Sequence, residues 1–519
     1  MSRKQDKMSL TFEMPVILGA EKFIAELRRQ TDVQLVSRQS MLATFYDSFD
    51  WRLYASGVSA VFVRTKQSSS FQLMSLENSV LIAGSELTDV PRFVKQFKSE
   101  KIRIALNPIL EMRALLPVCT SGYQTYQLNV LNKDQKTVLR IVIEEYEQLS
   151  NRVFLHPIKG YEKSAEQVTE ILTTQFGLIE NDKPILLAAL ELQGRTPLDY
   201  SSKLTINLAP EMTSDVAAKL IFSHLLKTIK ANEQGVIADT DSEFLHDFRV
   251  AVRRTRSGLS QFKDVLPEKI NAHFADFFSW LGQITGPTRD LDVYLLNFDR
   301  FKSSLPISIR EDINPIYEFI LAKKIKAQHE LAIKLRSEKY SASLIEWETY
   351  LNEPGHLKPV PLNANMTIKE LANLKIWKNY KRVLHKGSAI TPLCSAETLH
   401  DLRKTCKKMR YLIEFFQSLY HDNQMTLLIK KLKELQEVLG DFQDYEVQES
   451  SLKKFSTEML SQSIPVNTFL AMGVLIQNLD SHKCRARKQF ESRFEAFKST
   501  EKQLALKELF NNQRHERFV

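Results

Sequence analysis

The sequence contains only four cysteines, Cys119, Cys394, Cys406 and Cys484, and no two of them form a CxxC pair. This scarcity argues against a disulfide framework or a zinc ribbon and favours a reducing compartment. Long apolar runs are also missing, because the longest, ILLAAL near residue 185, is too short to span a bilayer. The first fifteen residues contain no apolar stretch typical of a secretory signal. We therefore expect a cytoplasmic protein that does not enter a membrane.

The charge of the chain is unevenly distributed along its 519 residues. The net charge is +9, and residues 1–200 hold 24 Lys+Arg against 23 Asp+Glu, which leaves 47 against 39 for residues 201–519. Nearly all of the basic surplus therefore belongs to the C-terminal part. A basic surplus predicts attraction to polyanions without indicating which one.

The periodicity of the sequence changes along the chain. Short segments rich in Val, Ile, Phe and Tyr, often alternating with period two, dominate the first 150 residues, and an Asn-Lys-Asp turn at Asn132 joins two of them. From Val216 onward the pattern has a period near 3.6, which is typical of helices. We predict an α+β protein in which an antiparallel, barrel-like β domain is followed by an all-α bundle. The predicted boundaries are a β domain at 1–195, a linker at 196–213 and a helical domain at 214–515.

One predicted helix, LHDFRVAVRRTRSGLSQF from Leu245, gathers its cations on one side. His246, Arg249, Arg253 and Arg256 follow one another at i, i+3, i+7 and i+10, which confines them to a stripe roughly 80° wide. A second segment, LHDLRKTCKKMRYLIEFF, repeats this spacing 154 positions later. The residues of the second stripe are His400, Arg403, Lys407 and Arg410.

The same offset relates the segments that follow the two stripes. LGQITGPTRDLDV from Leu281 aligns without a gap with LQEVLGDFQDYEV from Leu435. A register kept over about 50 residues indicates a duplicated helical unit, with repeats at about 214–360 and 365–515. Solvated faces usually drift in sequence, so the recurrence favours a ligand-binding role for the stripes over a merely solvated surface.

Asp290 and Asp444 occupy equivalent positions in these segments, and two interpretations remain open. They could be helix caps or ion-pair partners that hold the arginines in place, or they could be metal-binding carboxylates. The first interpretation is favoured, because each segment offers few acids and no nearby histidine to complete a metal site.

At these residues the sequence resembles the CHAD family, the conserved-histidine α-helical domain. The likeness lies in two H-x-x-R helices, each followed by an L-G-x-x-[RN]-D element, and covers roughly residues 210–515. It implies a duplicated bundle that binds inorganic polyphosphate in a central groove, and a location at polyphosphate granules. The predicted polyphosphate-binding residues are His246, Arg249, Arg253, Arg254, Arg256, Arg289, Lys378, Arg382, His400, Arg403, Lys407, Lys408, Arg410, Lys483 and Arg487.

The composition of the stripes suits this ligand. Arg grips phosphate oxygens bidentately and Lys acts as a point charge. The stripes contain no aromatic residue on which a base could stack, which disfavours single-stranded nucleic acid. Duplex nucleic acid or another polyanion remains an alternative, since phosphates alone can hold a duplex. The sequence does not indicate an oligomeric state.

The N-terminal part resembles the CYTH, or triphosphate tunnel, domain. The likeness lies in FYDSFDWRLYASGVSAVFVRTK and FLHPIKGYEKSAEQV, and active members are metal-dependent triphosphate hydrolases or cyclases. Of the family's E-x-E-x-K strand only Glu13 remains as an acid, Phe62 replaces the first Arg of R-x-R, and Glu77 stands where a Lys is expected. We expect an inactive domain that needs no cofactor. The alternative is a triphosphatase that requires Mg²⁺ or Mn²⁺, for which Glu13, Arg64 and Glu144 are weak catalytic candidates.

Overall fold

The computed structural model describes residues 10–14, 18–181, 183–353, 361–391, 393–420 and 423–498. The chain divides into two compact units, Met1–Ser201 and Ser202–Val519. The first is built on a β-sheet and the second consists of helices, which confirms the predicted α+β class. Residues 1–9 and 499–515 of the predicted domains lie outside the described residues. No helix of the described parts is both long and apolar enough to cross a membrane.

A nine-stranded antiparallel sheet forms the first unit, with the spatial order β5-β4-β3-β2-β6-β7-β8-β1-β9. Within the described residues the outermost strands, β5 and β9, are not paired with each other, so the barrel-like sheet is open there. The strands are β1 (Leu10–Glu13), β2 (Val33–Asp47), β3 (Val58–Arg64), β4 (Ser69–Ser75), β5 (Leu81–Glu86), β6 (Leu116–Leu131), β7 (Thr137–Tyr146), β8 (Arg152–Pro157) and β9 (Ile179–Glu180).

Five α-helices accompany the sheet in the described part of the first unit. Three of them, α1, α2 and α3, lie in the region that the sequence predicts to be mainly strands. Helix α1 carries buried Phe23, Ile24 and Leu27, whose three- and four-residue spacing is the helical signal in this segment. The helices are α1 (Ala20–Gln30), α2 (Arg52–Ala55), α3 (Glu100–Leu110), α4 (Glu162–Thr174) and α5 (Ile185–Leu192).

Eleven further helices form the described part of the second unit. They are α6 (Ser214–Ile237), α7 (Ser242–Gln261), α8 (Glu268–Ile284), α9 (Gly286–Leu296), α10 (Phe298–Ser303), α11 (Asn314–Leu335), α12 (Glu338–Asn352), α13 (Ile368–Ser388), α14 (Ala396–Phe416), α15 (Asn423–Met459) and α16 (Val466–Lys498). Helices α13 and α14 begin 154 positions after α6 and α7, as the sequence repeat predicts. Helix α15 corresponds to α8 and α9 together. Pro287 at the start of α9 has no N–H donor, whereas its equivalent in α15 is Asp441, so only the first repeat is interrupted.

Equivalent residues of the two repeats meet each other in the second unit. Thr213 pairs with Thr367 in an antiparallel bridge. On either side of it the hydrogen bonds are reciprocal, from Ser214 N to Met366 O at 2.9 Å and from Ile368 N to Met212 O at 2.8 Å. Such reciprocity is the mark of an isologous, two-fold contact, here between two halves of one chain.

The aromatic rings of Phe262 and Phe416, which are also equivalent, lie 6.0 Å apart edge to face. Both side chains are fully buried. The duplication is therefore built as a pseudo-two-fold arrangement with an aromatic contact at its centre.

The close contact of α13 with α16 gives the first testable expectation. A Cβ on Gly387 would overlap the ring of Phe494. We expect Gly387→Ala to destabilise the helical unit by about 1–3 kcal/mol, the usual cost of overpacking a filled core. Gly473→Ala is the matched control, because Gly473 is an exposed glycine of α16 with no atom within 4 Å of its added Cβ. Urea denaturation followed by circular dichroism measures both variants, and equal midpoints would contradict the packing described.

Candidate functional site

Helices α7 and α14 carry the two predicted stripes. Helix α7 is capped by Asp241, whose carboxylate accepts hydrogen bonds from Glu243 N at 2.9 Å and Phe244 N at 3.1 Å. The apolar residues that share each helix with a stripe are buried, as expected. They are Leu245, Phe248, Val252 and Leu259 on α7 and Leu399, Leu402, Ile413 and Phe416 on α14.

The two stripes come together at Arg253 and Lys407, which are equivalent residues of the two repeats. Burial, together with the positive charges of Arg403 and Arg253, lowers the pKa of Lys407 to about 7. Arg253 contributes in the same direction to the lowered pKa of Arg403, after burial. A cation of α7 therefore lies within the electrostatic field of two cations of α14.

We call the facing cations of the two stripes the cation cluster; its members are Arg249, Arg253, Arg256, Arg403, Lys407 and Arg410. Among the described residues, neither Arg253 nor Lys407 has an ion pair or a hydrogen bond from its side chain, although both side chains are half-buried. Buried cations without acidic partners are costly unless an anion binds them. We therefore take the centre of the cluster as the candidate site for an anion.

In the first repeat, neutral groups hold the arginines of the cluster. Arg249 donates to Gly282 O at 3.2 Å and to Thr285 Oγ1 at 2.8 Å. Burial lowers the pKa of Arg249 to about 10, with the charge of Arg253 adding to the effect. The side chain of Arg256 packs against Gly282. A Cβ atom added to Gly282 would lie 2.7 Å from Arg256 Nη1. Within the described residues neither arginine forms an ion pair, although the charge of Asp290 acts on Arg249.

In the second repeat, polar side chains contact the arginines of the cluster. Arg403 Nη2 lies 3.3 Å from Asp444 Oδ1, so Asp444 is the ion-pair partner that the sequence favoured. Arg410 donates to Gln436 Oε1 at 3.2 Å and pairs with Glu414 at 3.0 Å. Among the described residues, no group of three or more His, Cys, Asp or Glu side chains is arranged to hold a metal ion.

Each stripe begins with a histidine whose Nδ1 atom contacts a later helix, α9 in the first repeat and α15 in the second. Arg289 Nη2 lies 2.8 Å from His246 Nδ1, and Arg289 Nη1 donates to Ser242 O at 2.9 Å. In the second repeat, His400 Nδ1 contacts Gln443 Oε1. Arg289 was predicted to contact the ligand; in the structure its guanidinium holds His246 and the start of α7.

Three other predicted cations are occupied by protein groups, which differs from the sequence prediction. Arg254 donates to Glu414 Oε2 from two nitrogens, at 3.1 and 2.8 Å. Lys483 pairs with three carboxylates, whose hydrogen bonds raise its pKa against the opposing effect of burial. Arg487 donates to Cys394 O and, at 3.2 Å, to Cys394 Sγ. Helical spacing identifies a basic face, but it does not reveal the acids and carbonyls that neighbouring elements place against it.

Lys378 and Arg382 on α13 and Lys408 on α14 are exposed, and none has an ion pair or a hydrogen bond among the residues that the structure describes. Nothing connects these three side chains to the cation cluster. Their contribution to a binding surface stays a prediction.

In the first unit, two of the weak catalytic candidates share one face of the sheet. Glu13 pairs across strands with Arg152, and Arg152 pairs with Glu144, so the three side chains form a row on that face. Glu13 accepts from Asn181 Nδ2, and Glu144 accepts from Tyr146 Oη at 2.5 Å. Arg152 was not predicted from the sequence, where its only signal is an arginine at the start of a strand.

The third candidate, Arg64, lies on the opposite face. Arg64 pairs with Leu42 of β2. Gln39 lies three residues before Leu42 on the same strand, and strand pairing places Gln39 in the row that contains Glu144. An odd separation on a regular strand reverses the face. Arg64 is exposed and lies 3.8 Å from Asp89, so it cannot act together with the two glutamates.

Helix α5, which contains the ILLAAL run, packs on the face that carries the glutamate row. Leu186 and Leu190 belong to a buried apolar cluster that Tyr123 borders. Tyr123 stacks on Tyr146 with ring centroids 4.9 Å apart, next to the row. An apolar helix therefore covers part of the surface where a triphosphate would be expected.

The FYDSFD motif serves the structure of the same unit. Buried Asp47 accepts hydrogen bonds from Leu53 N and Tyr54 N, both at 2.9 Å, and so caps α2. Asp50 lies 3.2 Å from the buried Arg113. The acids of the motif are therefore engaged with a helix end and an arginine.

In a comparison with known proteins, a family model matches the helical unit. Residues 220–453 match the family model of the CHAD domain. An uncharacterized protein of Mycobacterium tuberculosis, found in strains CDC 1551 / Oshkosh and ATCC 25618 / H37Rv, is 24% identical over 318 residues. That alignment covers 58% of this chain and 58% of the relative, so the chain spans a little over half of the relative's length.

Two solved structures are similar to different parts of the chain. The CHAD domain from the plant Ricinus communis has a TM-score of 0.48 and 24% identity, covering 57% of this chain and 96% of its own. A putative adenylyl cyclase from Hippeastrum, described as having a dominant triphosphatase activity, has a TM-score of 0.28 and 11% identity, covering 37% of this chain and 99% of its own.

Proposed function

Because residues 220–453 form a CHAD domain, we propose that the helical unit binds inorganic polyphosphate through the cation cluster of α7 and α14. The observation that carries the proposal is the pair Arg253 and Lys407. These equivalent, half-buried cations lie among four other cations, and within the described residues neither forms an ion pair, although the charge of Asp444 acts on Lys407. A linear polyanion with one charge per phosphoryl unit would neutralise the cluster along both helices.

The residue composition of the stripes favours polyphosphate over nucleic acid. Recognition of single strands uses aromatic rings on which bases stack, and the stripes present none. We further propose that the chain acts in the cytoplasm at polyphosphate granules. Both statements extend what the family resemblance implies.

We expect the double variant Arg253→Met/Lys407→Met to bind long-chain polyphosphate at least tenfold more weakly than the unaltered chain. Each charge-assisted hydrogen bond contributes roughly 1.5–3 kcal/mol, and about 1.4 kcal/mol corresponds to a tenfold change in Kd. Lys483→Met is a control that also removes a cation, but one already paired with three carboxylates. Its Kd should change less than about twofold.

Isothermal titration calorimetry of folded variants measures these constants, with duplex DNA of equal total charge as the competitor. The proposal fails if the double variant binds as tightly as the unaltered chain. Equal competition by duplex DNA at physiological salt would support the alternative of a general polyanion binder.

The lowered pKa of Lys407 gives the binding a pH dependence. In the free protein this pKa is about 7, because of burial and then the charges of Arg403, Arg253 and Arg410, with Asp444 opposing them. Below that pH the Lys407 amine already carries its charge. Above that pH the amine is neutral, so the protein must take up a proton when an anion binds there. The Kd should therefore rise several-fold from about pH 7 to about pH 9, by at most about tenfold per pH unit.

Lys407→Arg tests this origin, because arginine keeps its charge throughout that range and is the residue at the equivalent position of the first repeat. The variant should bind almost equally at both pH values. An unchanged rise of Kd in Lys407→Arg would assign the pH dependence to another group.

The alternative function, hydrolysis of triphosphate by the first unit, rests on the placement of Glu13 and Glu144 on one face. Two divalent ions need several converging carboxylates. Here the cation Arg152 lies between the two glutamates in cross-strand register, and Arg64 is on the other face. We propose that this unit does not hydrolyse triphosphate.

We expect the chain to release no phosphate from tripolyphosphate with Mg²⁺ or Mn²⁺, because Arg152 repels a metal ion from between the glutamates. A colorimetric phosphate assay measures this. Metal-dependent release that Glu13→Gln abolishes would establish the hydrolase instead.

A further inference from the structure

We propose that Glu414 of α14 limits the affinity of the site, because its carboxylate competes with the bound anion for Arg410 of the cation cluster. Arg254 of α7 is the positioning residue that holds this carboxylate in place. The role towards the anion rests on the proposed polyphosphate binding, whereas the contacts among the three side chains do not. The second stripe then binds an anion less tightly than its cations alone would allow.

Glu414 lies between two arginines that belong to different repeats. Arg254 donates to Glu414 Oε2 from Nε at 3.1 Å and from Nη2 at 2.8 Å. A third hydrogen bond, from Arg254 Nη1 to Ser202 O at 3.1 Å, fixes the guanidinium group itself. Hydrogen bonds between ionised groups are stronger than neutral ones, and the side chain of Arg254 is only 13% exposed. The carboxylate of Glu414 is therefore held firmly beside Arg410.

The contact between Glu414 and Arg410 is the weaker of the two. Arg410 Nε lies 3.0 Å from Glu414 Oε1, but within the described residues this nitrogen has no hydrogen-bond partner, so its N–H does not point at the carboxylate. Arg410 Nη1 donates instead to Gln436 Oε1 at 3.2 Å. The side chain of Arg410 is 37% exposed. An anion that reaches Arg410 can therefore take the place of Glu414 there, while Glu414 keeps its hydrogen bonds with Arg254.

The first repeat has a neutral residue in the place of this carboxylate. Ser260 is equivalent to Glu414, and Arg256 is equivalent to Arg410. In both repeats the arginine precedes the other residue by four positions, which puts the two side chains on the same side of the helix. Within the described residues Arg256 forms no ion pair. The anion thus meets a competing carboxylate at the end of the second stripe and a serine at the end of the first.

The effect of Glu414 on binding follows from its charge. One carboxylate offsets one of the two positive charges of Arg254 and Arg410, so the three side chains together attract a polyanion as a single cation would. In nucleic-acid complexes each cation that replaces a counterion of the polyanion adds roughly 0.7–0.9 to the slope of log Kd against log salt concentration. The salt dependence of polyphosphate binding therefore reports how fully Arg410 takes part.

Glu414→Gln removes the charge but keeps the size of the side chain and an acceptor for Arg254. Isothermal titration calorimetry of the full chain with long-chain polyphosphate, at several salt concentrations, measures the Kd and its slope. We expect the Kd to fall roughly two- to fivefold, the range for partly exposed charge pairs, and the slope to steepen by roughly 0.7–0.9. An unchanged or larger Kd would overturn the proposal, since a residue that only braces α7 against α14 cannot tighten binding when it is lost.

Glu330→Gln is the control for net charge. Glu330 is an exposed residue of α11 that has no ion pair within the described part of the chain. This variant carries the same net charge as Glu414→Gln, and its Kd and slope should stay close to those of the unaltered chain. Equal tightening in both variants would assign the effect to net charge and would contradict local competition at Arg410.

Ser260→Glu is the reverse test, because it places a carboxylate four positions after Arg256 at an exposed site. We expect the Kd to rise roughly two- to fivefold and the slope to become shallower by roughly 0.7–0.9. Ser260→Gln adds a similar volume without a charge and should change neither quantity. If Ser260→Glu and Ser260→Gln bind polyphosphate alike, a carboxylate at this position does not compete with the anion, and the inference fails.

The failure of this inference differs from the failure of the proposed function. If the unaltered chain does not bind polyphosphate, the proposed function is wrong, and the role of Glu414 towards the anion is wrong with it. If the unaltered chain binds polyphosphate and Glu414→Gln does not bind it more tightly, the proposed function stands and only this inference fails.

Discussion

Burial of cations that repel one another is the constraint on which the rest of the helical unit depends. Burial and neighbouring positive charges together lower the pKa values of Arg249, Arg403 and Lys407, which shows that the charged forms are disfavoured in the free protein. Apolar packing must offset this cost. The buried faces of α7 and α14, the ring contact of Phe262 with Phe416 and the reciprocal backbone bonds around Thr213 supply the rigidity that keeps the two stripes together.

The pseudo-two-fold arrangement explains how a single helix pattern becomes a site. One basic stripe on one helix is a solvated surface, but two stripes related by a two-fold axis meet at equivalent residues, here Arg253 and Lys407. The repeats then diverge around this centre. Gly282 leaves room for Arg256 in the first repeat, whereas its equivalent Gln436 accepts a hydrogen bond from Arg410 in the second. The repeats thus hold similar charges by different means.

Much of the fold could be predicted from the sequence, because periodicity depends on local residue pattern. The change from strands to helices and the 154-residue offset of the repeats are both present in the structure. Helices α1, α2 and α3 were not predicted, because strand-like segments dominate the pattern of the first 150 residues. Whether the sheet is open depends on how its outermost strands pair, and the local residue pattern does not contain that information.

The stripes themselves could be predicted, because helical spacing places His246, Arg249, Arg253 and Arg256 on one face. The cations that lack partners could not be predicted, because their partners would be acids that are distant in the sequence. Glu414 pairs with Arg254, and Glu446, Glu449 and Asp480 surround Lys483. The register that aligns Glu13, Arg152 and Glu144, and places Arg64 on the other face, likewise results from strand pairing across the whole unit.

The structure of the full chain determined with bound polyphosphate tests the central claim most directly. We expect a continuous chain of phosphates that contacts Arg253 and Lys407 and runs along both stripes. Phosphates bound only at other surfaces, such as the exposed face of Lys378 and Arg382 or the glutamate row of the sheet, would contradict it.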